Sequence, residues 1–145
     1  MKQGSLNRVL RAASALYHFD VRDAVAFPRH TGGRNIVYRL DAARVLRVSK
    51  LRDRTPEDYL AETEYIHYLA ANGAPVTDVL PSVNGRNVEM IAEGEDRFAV
   101  SVFQTAQGDQ IAAHGYQYRE GAPLEEYWFN TGKALGCVSK FGTVA

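Results

Sequence analysis

The sequence carries a single cysteine, Cys137, so an internal disulfide and a paired-cysteine metal or redox site are both excluded. Charge of one sign is not in excess. Lys plus Arg number 17 and Asp plus Glu number 17, a formal net charge of zero, which gives poor support for nucleic-acid binding. No apolar run reaches the roughly 18 residues of a membrane span. Residues 1–5 lead into a polar and apolar mixture rather than a signal-peptide core, and no repeat or low-complexity tract stands out. These absences lead us to expect a soluble, cytoplasmic chain. The 145 residues are 46% apolar and 23% charged, near globular averages. They suffice for one domain, or one and a fraction, that needs no metal or disulfide staple.

Hydrophobic spacing divides the chain into alternating elements. Residues 6–17 place Leu6, Val9, Leu10, Ala13, Leu16 and Tyr17 at helical intervals, with Ser5 as the expected N-cap. Residues 21–27 are short and mixed, a weak strand ended by Pro28. Residues 36–40 and 45–48 are β-branched and aromatic runs joined by Asp41-Ala42-Ala43, which predicts an antiparallel hairpin. The next helix carries the clearest signals: Thr55 as N-cap, Pro56 at the first helical position, Glu57 and Asp58 in the first turn, and Gly73 as its stop. Extended runs follow at 76–80, 87–92 and 97–104, with turns at Asn84-Gly85 and at Glu93-Gly94-Glu95-Asp96. A last helix is expected over about 124–141. Strands grouped on both sides of one helix predict an α+β fold, an antiparallel sheet of about five strands with a packed helix.

Three features invite chemistry. Gly32-Gly33 lies in a turn between strands, where exposed backbone N–H groups suit either a plain turn or an anion cradle. Arg47 alternates with Leu46 and Val48. If those two face the core under the helix, Arg47 points to the opposite side, as a site cation or as an ordinary exposed arginine. Glu62 falls within the apolar stripe Tyr59, Ile66 and Leu69, where a carboxylate needs either a cation partner, Arg47 first, or an escape to solvent at the stripe edge. A glycine turn, then a strand cation, then a helix glutamate is the order found in the small lobe of kinases.

In this order and spacing the chain resembles the N-terminal, ATP-binding lobe of the aminoglycoside phosphotransferase and choline kinase-like superfamily. The residues that carry the resemblance are Gly32-Gly33-Arg34-Asn35-Ile36-Val37-Tyr38, Val45-Leu46-Arg47-Val48-Ser49, Glu62 with Leu69, and Gly73-Ala74-Pro75-Val76. Residues 98–108 and the helix around Lys133-Ala134-Leu135-Gly136 complete it. The resemblance implies a kinase-like small lobe over 1–108, with the hinge and start of a second lobe over 109–145. It implies a nucleotide-covering loop at Gly32, Gly33 and Asn35, and a phosphate-binding cation at Arg47, where the superfamily more often has lysine. It further implies an ion-pair partner at Glu62, and an adenine-binding hinge at Phe103, Gln104, Thr105 and Ala106. Arg39 and Lys50 compete with Arg47 for the cation role. The implied ligands are ATP with Mg2+ and a small hydroxyl-bearing acceptor, both expected of the full-length enzyme, with ATP binding weak or absent in this chain alone.

The HGD-type loop that supplies such enzymes with a catalytic base and a metal-binding asparagine has no counterpart here. The only His-x-Asp, His18-Phe19-Asp20, precedes the glycine turn and has Val25 five residues beyond Asp20. His30, His67 and His114 show no companion pattern of metal ligands. We therefore expect a truncated, catalytically incomplete part of an ATP-dependent small-molecule O-phosphotransferase. Two alternatives are a non-catalytic nucleotide-binding or protein-interaction module with the same fold, and a plain α+β domain without a nucleotide site. The last helix aligns Leu124, Trp128, Leu135, Val138 and Phe141 in one apolar stripe, which predicts a cover such as a homodimer through this helix.

Overall fold

The computed structural model describes residues 3–27, 35–106 and 120–142. In chain order they form α1 (Gln3–Tyr17), a short 3-10 turn (Val21–Asp23), β1 (Val25–Ala26), β2 (Asn35–Arg39) and β3 (Arg44–Lys50). There follow α2 (Pro56–Ala71), β4 (Val79–Leu80), β5 (Glu89–Glu93), β6 (Asp96–Gln104) and α3 (Leu124–Gly142). The fold is α+β, as expected, with a six-stranded sheet rather than five. The two-residue β1 lies within the run read as a weak strand over 21–27, pairs with β2 and brings the count to six.

Every strand pairing is antiparallel. The order is β1-β2-β3-β6-β4, and β5 also pairs with β6. The nine residues of β6 make this possible, since β5 takes residues 96–100 and β4 takes Val102 and Phe103 along the same edge. The segment Glu93–Asp96 closes as a tight two-residue hairpin, with Gly94 at φ +62° where a side chain would strain the backbone.

Alternation along the strands gives the sheet two different faces. Ile36, Tyr38, Leu46, Val48, Phe98, Val100 and Val102 lie on one face and pack with Leu6, Val9, Leu10, Ala13 and Tyr17 of α1. This corrects one expectation: the helix that covers Leu46 and Val48 is the N-terminal one, and α2 serves the opposite face. Ser5 lies inside α1 rather than capping it, because the helix already begins by Gln3. At its other end Arg44 donates to the carbonyls of Tyr17 (2.7 Å) and His18 (3.2 Å), groups the helix itself leaves unpaired. Arg44 also pairs with Asp41 at 2.9 Å, so one side chain ties α1 to the β2–β3 hairpin.

The start of α2 is a reciprocal cap. The Thr55 hydroxyl accepts from the Asp58 N–H (3.2 Å), and the Asp58 carboxylate accepts from the Thr55 N–H (2.8 Å). The stop follows at Gly73, φ +82°, with the Ala74 N–H returning to the Leu69 carbonyl at 3.0 Å. The described backbone separates into two compact units. The first is Met1–His67 with Thr77–Thr105, and the second is Tyr68–Val76 with Ala106–Ala145. In the second unit α3 leaves Leu124, Tyr127, Trp128, Phe129 and Leu135 exposed. The Phe141 side chain lies outside the described residues. No helix among the described residues is long and apolar enough to cross a membrane.

Candidate functional site

The face of the sheet turned away from α1 is where the sequence places its chemistry. Strand register puts Asn35 opposite Ser49, Val37 opposite Arg47, and Arg39 opposite Val45, all on this face. On the other side of β3, Arg47 stands opposite Ser101 and Val45 opposite Phe103. The small Ser101 leaves the Arg47 side chain room to rise from the sheet toward α2. There Nη1 of Arg47 donates to Oε1 of Glu62 in an ion pair, with 15% of the Arg47 side chain and 28% of the Glu62 side chain exposed. The guanidinium carbon lies 5.0 Å from the Phe103 ring centroid and 5.7 Å from that of Tyr59, within reach of cation–π attraction.

Nη2 of Arg47 is buried and has no hydrogen-bond partner among the described residues. Burying a charged donor without an acceptor is costly, so such a group marks either strain or a site for an anion. Glu62 is pulled two ways. Burial pushes its carboxyl up, but hydrogen bonds and charge from Arg47 and Arg54 outweigh that and hold it below the usual 4.5. Its second oxygen, Oε2, accepts from Nη2 of Arg54 at 2.8 Å. Two guanidiniums thus converge on the one Glu62 carboxylate, and Arg54 also feels the charge of Asp58.

The competing cations are distributed differently. Lys50 stands opposite the buried Phe98, on the α1 face, and pairs with Asp96 at 3.3 Å. Arg39 shares the face of Arg47 but is exposed. Asn35 opens β2, and its side-chain oxygen accepts from the Ser49 hydroxyl. Gly32 and Gly33 lie outside the described residues, as do His30 and His114. Within α2 the most buried position of the stripe is Thr63, whose hydroxyl donates to the Leu60 carbonyl at 2.9 Å; Glu62 sits beside it at the stripe edge.

The segment 103–106 continues β6. The Gln104 N–H donates to the Asp78 carbonyl (2.9 Å), and the Thr105 N–H donates to the Ala43 carbonyl (2.8 Å), so both are used inside the fold. The Gln104 side-chain oxygen accepts from the Asp78 N–H at 3.2 Å. Asp78 in turn receives Nδ1 of His67 at 3.0 Å, which links α2 to the end of β6. The Thr105 hydroxyl is buried and has no partner among the described residues. Thr105 closes the first unit and Ala106 opens the second. No group of three or more potential metal ligands occurs among the described residues.

Sequence reasoning missed Arg54, Asp78 and the aromatic role of Tyr59. Arg54 offered one faint signal. It precedes the N-cap of α2, where the helix dipole disfavours a cation unless a carboxylate answers it. Nothing in the spacing of Asp78 announced its bonds to Gln104.

An antiparallel sheet that presents a half-buried arginine to a helix glutamate, with a strand running out beside them, is the arrangement of a kinase small lobe. Comparison with known proteins agrees. The chain is 30% identical over 108 residues to amicoumacin kinase of Bacillus subtilis (strain 168), covering 72% of this chain and 31% of that protein. A solved structure of an amicoumacin kinase, hAmiN, in complex with AMP-PNP, Ca2+ and Ami, superposes with a TM-score of 0.63 at 26% identity. That match covers 71% of this chain and 31% of the other. A microcompartment-associated aminopropanol kinase shares the fold, with a TM-score of 0.58 at 17% identity over 72% of this chain and 33% of that one. No family profile matches the chain. The homology fits the N-terminal lobe of a small-molecule kinase of the aminoglycoside phosphotransferase-like kind. The chain spans just under a third of the curated relative, 31% of its length.

Proposed function

We propose that this chain is the ATP-binding lobe of a small-molecule O-phosphotransferase, with the lobe in residues 1–108 and the hinge and start of a second lobe in 109–145. The observation that carries the reading is Arg47: a guanidinium fixed at Nη1 by Glu62, flanked by Phe103 and Tyr59, with Nη2 buried and unpaired among the described residues. A phosphate oxygen satisfies such a donor through a charge-assisted hydrogen bond. Arg47 would bind phosphate, Glu62 would orient Arg47, and Asn35 with Gly32 and Gly33 would belong to the covering loop. With the N–H groups of Gln104 and Thr105 already used, the base would bond to other groups of 103–106, the Thr105 hydroxyl among them.

The described residues do not fit a resident Mg2+ site, since they hold no ligand cluster. Magnesium, which accompanies ATP and neutralises phosphate charge, would be held by the nucleotide and by groups outside those described. Phosphoryl transfer depends on positioning together with charge stabilisation by a metal and a base. The sequence holds no HGD-type loop to supply that base, so binding without useful turnover is the expected property of these 145 residues. A module that has kept the fold and lost transfer would bind in the same way.

Thermal denaturation with and without ATP and Mg2+ tests the reading. The wild type is expected to gain stability with ATP, and Arg47→Ala and Glu62→Ala to lose that gain. No ATP effect on the wild type would leave a plain α+β domain. Robust, Arg47-dependent phosphorylation of an acceptor would refute the incomplete-site part of the proposal.

A further inference from the structure

Arg54 stands on the connection between β3 and α2, outside the glycine–cation–glutamate order. Its guanidinium carbon lies 4.2 Å from the Tyr59 ring centroid, and Nη2 donates to Oε2 of Glu62 at 2.8 Å. Tyr59 is only 3% exposed, so this platform is fixed. Arg54 and Arg47 thus share one buried aromatic ring and one carboxylate, each guanidinium holding a different oxygen.

That division has a chemical consequence. An arginine left alone with a carboxylate tends to take both oxygens through two parallel N–H bonds. If Arg47 did so here, both of its terminal nitrogens would be spent on Glu62. With Arg54 on Oε2, Arg47 bonds Oε1, and its Nη2 stays unpaired among the described residues. We infer that Arg54 is a positioning residue of the site: by occupying Oε2 of Glu62 it blocks a two-pronged Arg47–Glu62 pair and keeps one Arg47 nitrogen for a nucleotide phosphate. This rests on the nucleotide reading given above for Arg47. The charged and titratable groups that face Glu62 are Arg47 from β3 and Arg54 from the connection, with Tyr59 on its own helix. The Arg54 proton is held more tightly than usual, chiefly through its hydrogen bond to Glu62.

The test titrates AMP-PNP with Mg2+ into the 145-residue chain by calorimetry for wild type, Arg54→Met and Arg54→Lys. In parallel, nitrogen NMR of the Arg47 guanidinium and carbon NMR of the Glu62 carboxyl are recorded on the free proteins. Loss of Arg54 is expected to weaken AMP-PNP roughly five- to tenfold. Lysine, which can still hold Oε2, is expected to restore most of that loss. In the free Arg54→Met protein the two Arg47 terminal nitrogens become alike in their bonding, and the Glu62 carboxyl titrates at higher pH. Arg54 is part-exposed, and a purely structural role would lower the melting temperature without changing the Arg47 spectrum. Wild-type affinity in Arg54→Met, or unchanged Arg47 and Glu62 spectra, would overturn the inference. A wild type that does not bind AMP-PNP sinks the nucleotide reading and the phosphate role of Arg47 with it. The free-protein spectra then still decide separately whether Arg54 governs how Arg47 holds Glu62.

Discussion

Arg47 and Glu62, fifteen residues apart in the chain, form a single-pronged ion pair in which Nη1 of the guanidinium is used and Nη2 is buried without an acceptor among the described residues. Arginine–carboxylate pairs gain most when both prongs engage. The one-pronged form therefore gives up interaction within the protein and leaves a donor for something else.

Arg47→Lys is the sharpest probe of that donor. Lysine keeps the charge and can still reach Glu62, but it lacks the rigid fork that serves two acceptors at once. AMP-PNP affinity is expected to fall severalfold for Arg47→Lys and below detection for Arg47→Ala. Calorimetry reads both, and equal affinity for wild type and Arg47→Lys would show that the fork is not used.

Acid stability follows from Glu62 and the caps. Hydrogen bonds and nearby arginines hold the Glu62 carboxyl below its usual 4.5 against the opposing push of burial. Asp20 is lowered to about 2, first by its hydrogen bond to Arg22, and Asp58 is lowered, first by the Thr55 N–H. A carboxyl whose folded value lies below its unfolded value adds stability above the unfolded value, and loses it as pH falls through the folded one. The urea midpoint is thus expected to be flat near neutrality and to drop as pH falls below about 4.5. Glu62→Gln should make that drop shallower. An acid limb unchanged in Glu62→Gln would remove Glu62 from the account.

The cap of α2 carries Glu62 to its place. Thr55→Ala removes an acceptor for the Asp58 N–H, and Asp58→Ala removes one for the Thr55 N–H. Each is expected to cost about 1 kcal/mol. Because the two bonds form one box, the double variant should cost less than the sum. Urea denaturation of the three variants measures this.

The apolar residues exposed on α3 support association through that helix. Sedimentation of the wild type is expected to show concentration-dependent self-association. Trp128→Glu with Phe129→Glu, at positions 59% and 71% exposed, should abolish it without loss of helix content. A wild type that remains monomeric at high concentration would refute a homodimer.

Much of the fold was legible because its signals are local. Thr55, Pro56 and Asp58 announce the start of α2 through bonds made within four residues. The alternation of Leu46, Arg47 and Val48 separates the strand's two faces before any partner is known. The pairing of Arg47 with Glu62 was legible for a related reason: a carboxylate in an apolar stripe calls for a cation, and the neighbouring strand offers one. By contrast, β1 is two residues long and exists only because β2 offers it an edge.

The sequence by itself determined the order of elements, the α+β class and which side of β3 carries the cation, since backbone periodicity and capping act over a few residues. Tertiary structure alone decided that α1 covers the Leu46 and Val48 face, that Asp78 occupies the Gln104 N–H, and that Arg54 takes the second oxygen of Glu62. Those outcomes depend on how separate segments meet in space. Packing sets such meetings by minimising exposed apolar area and unpaired polar groups over the whole molecule, and no window of neighbouring residues encodes that sum.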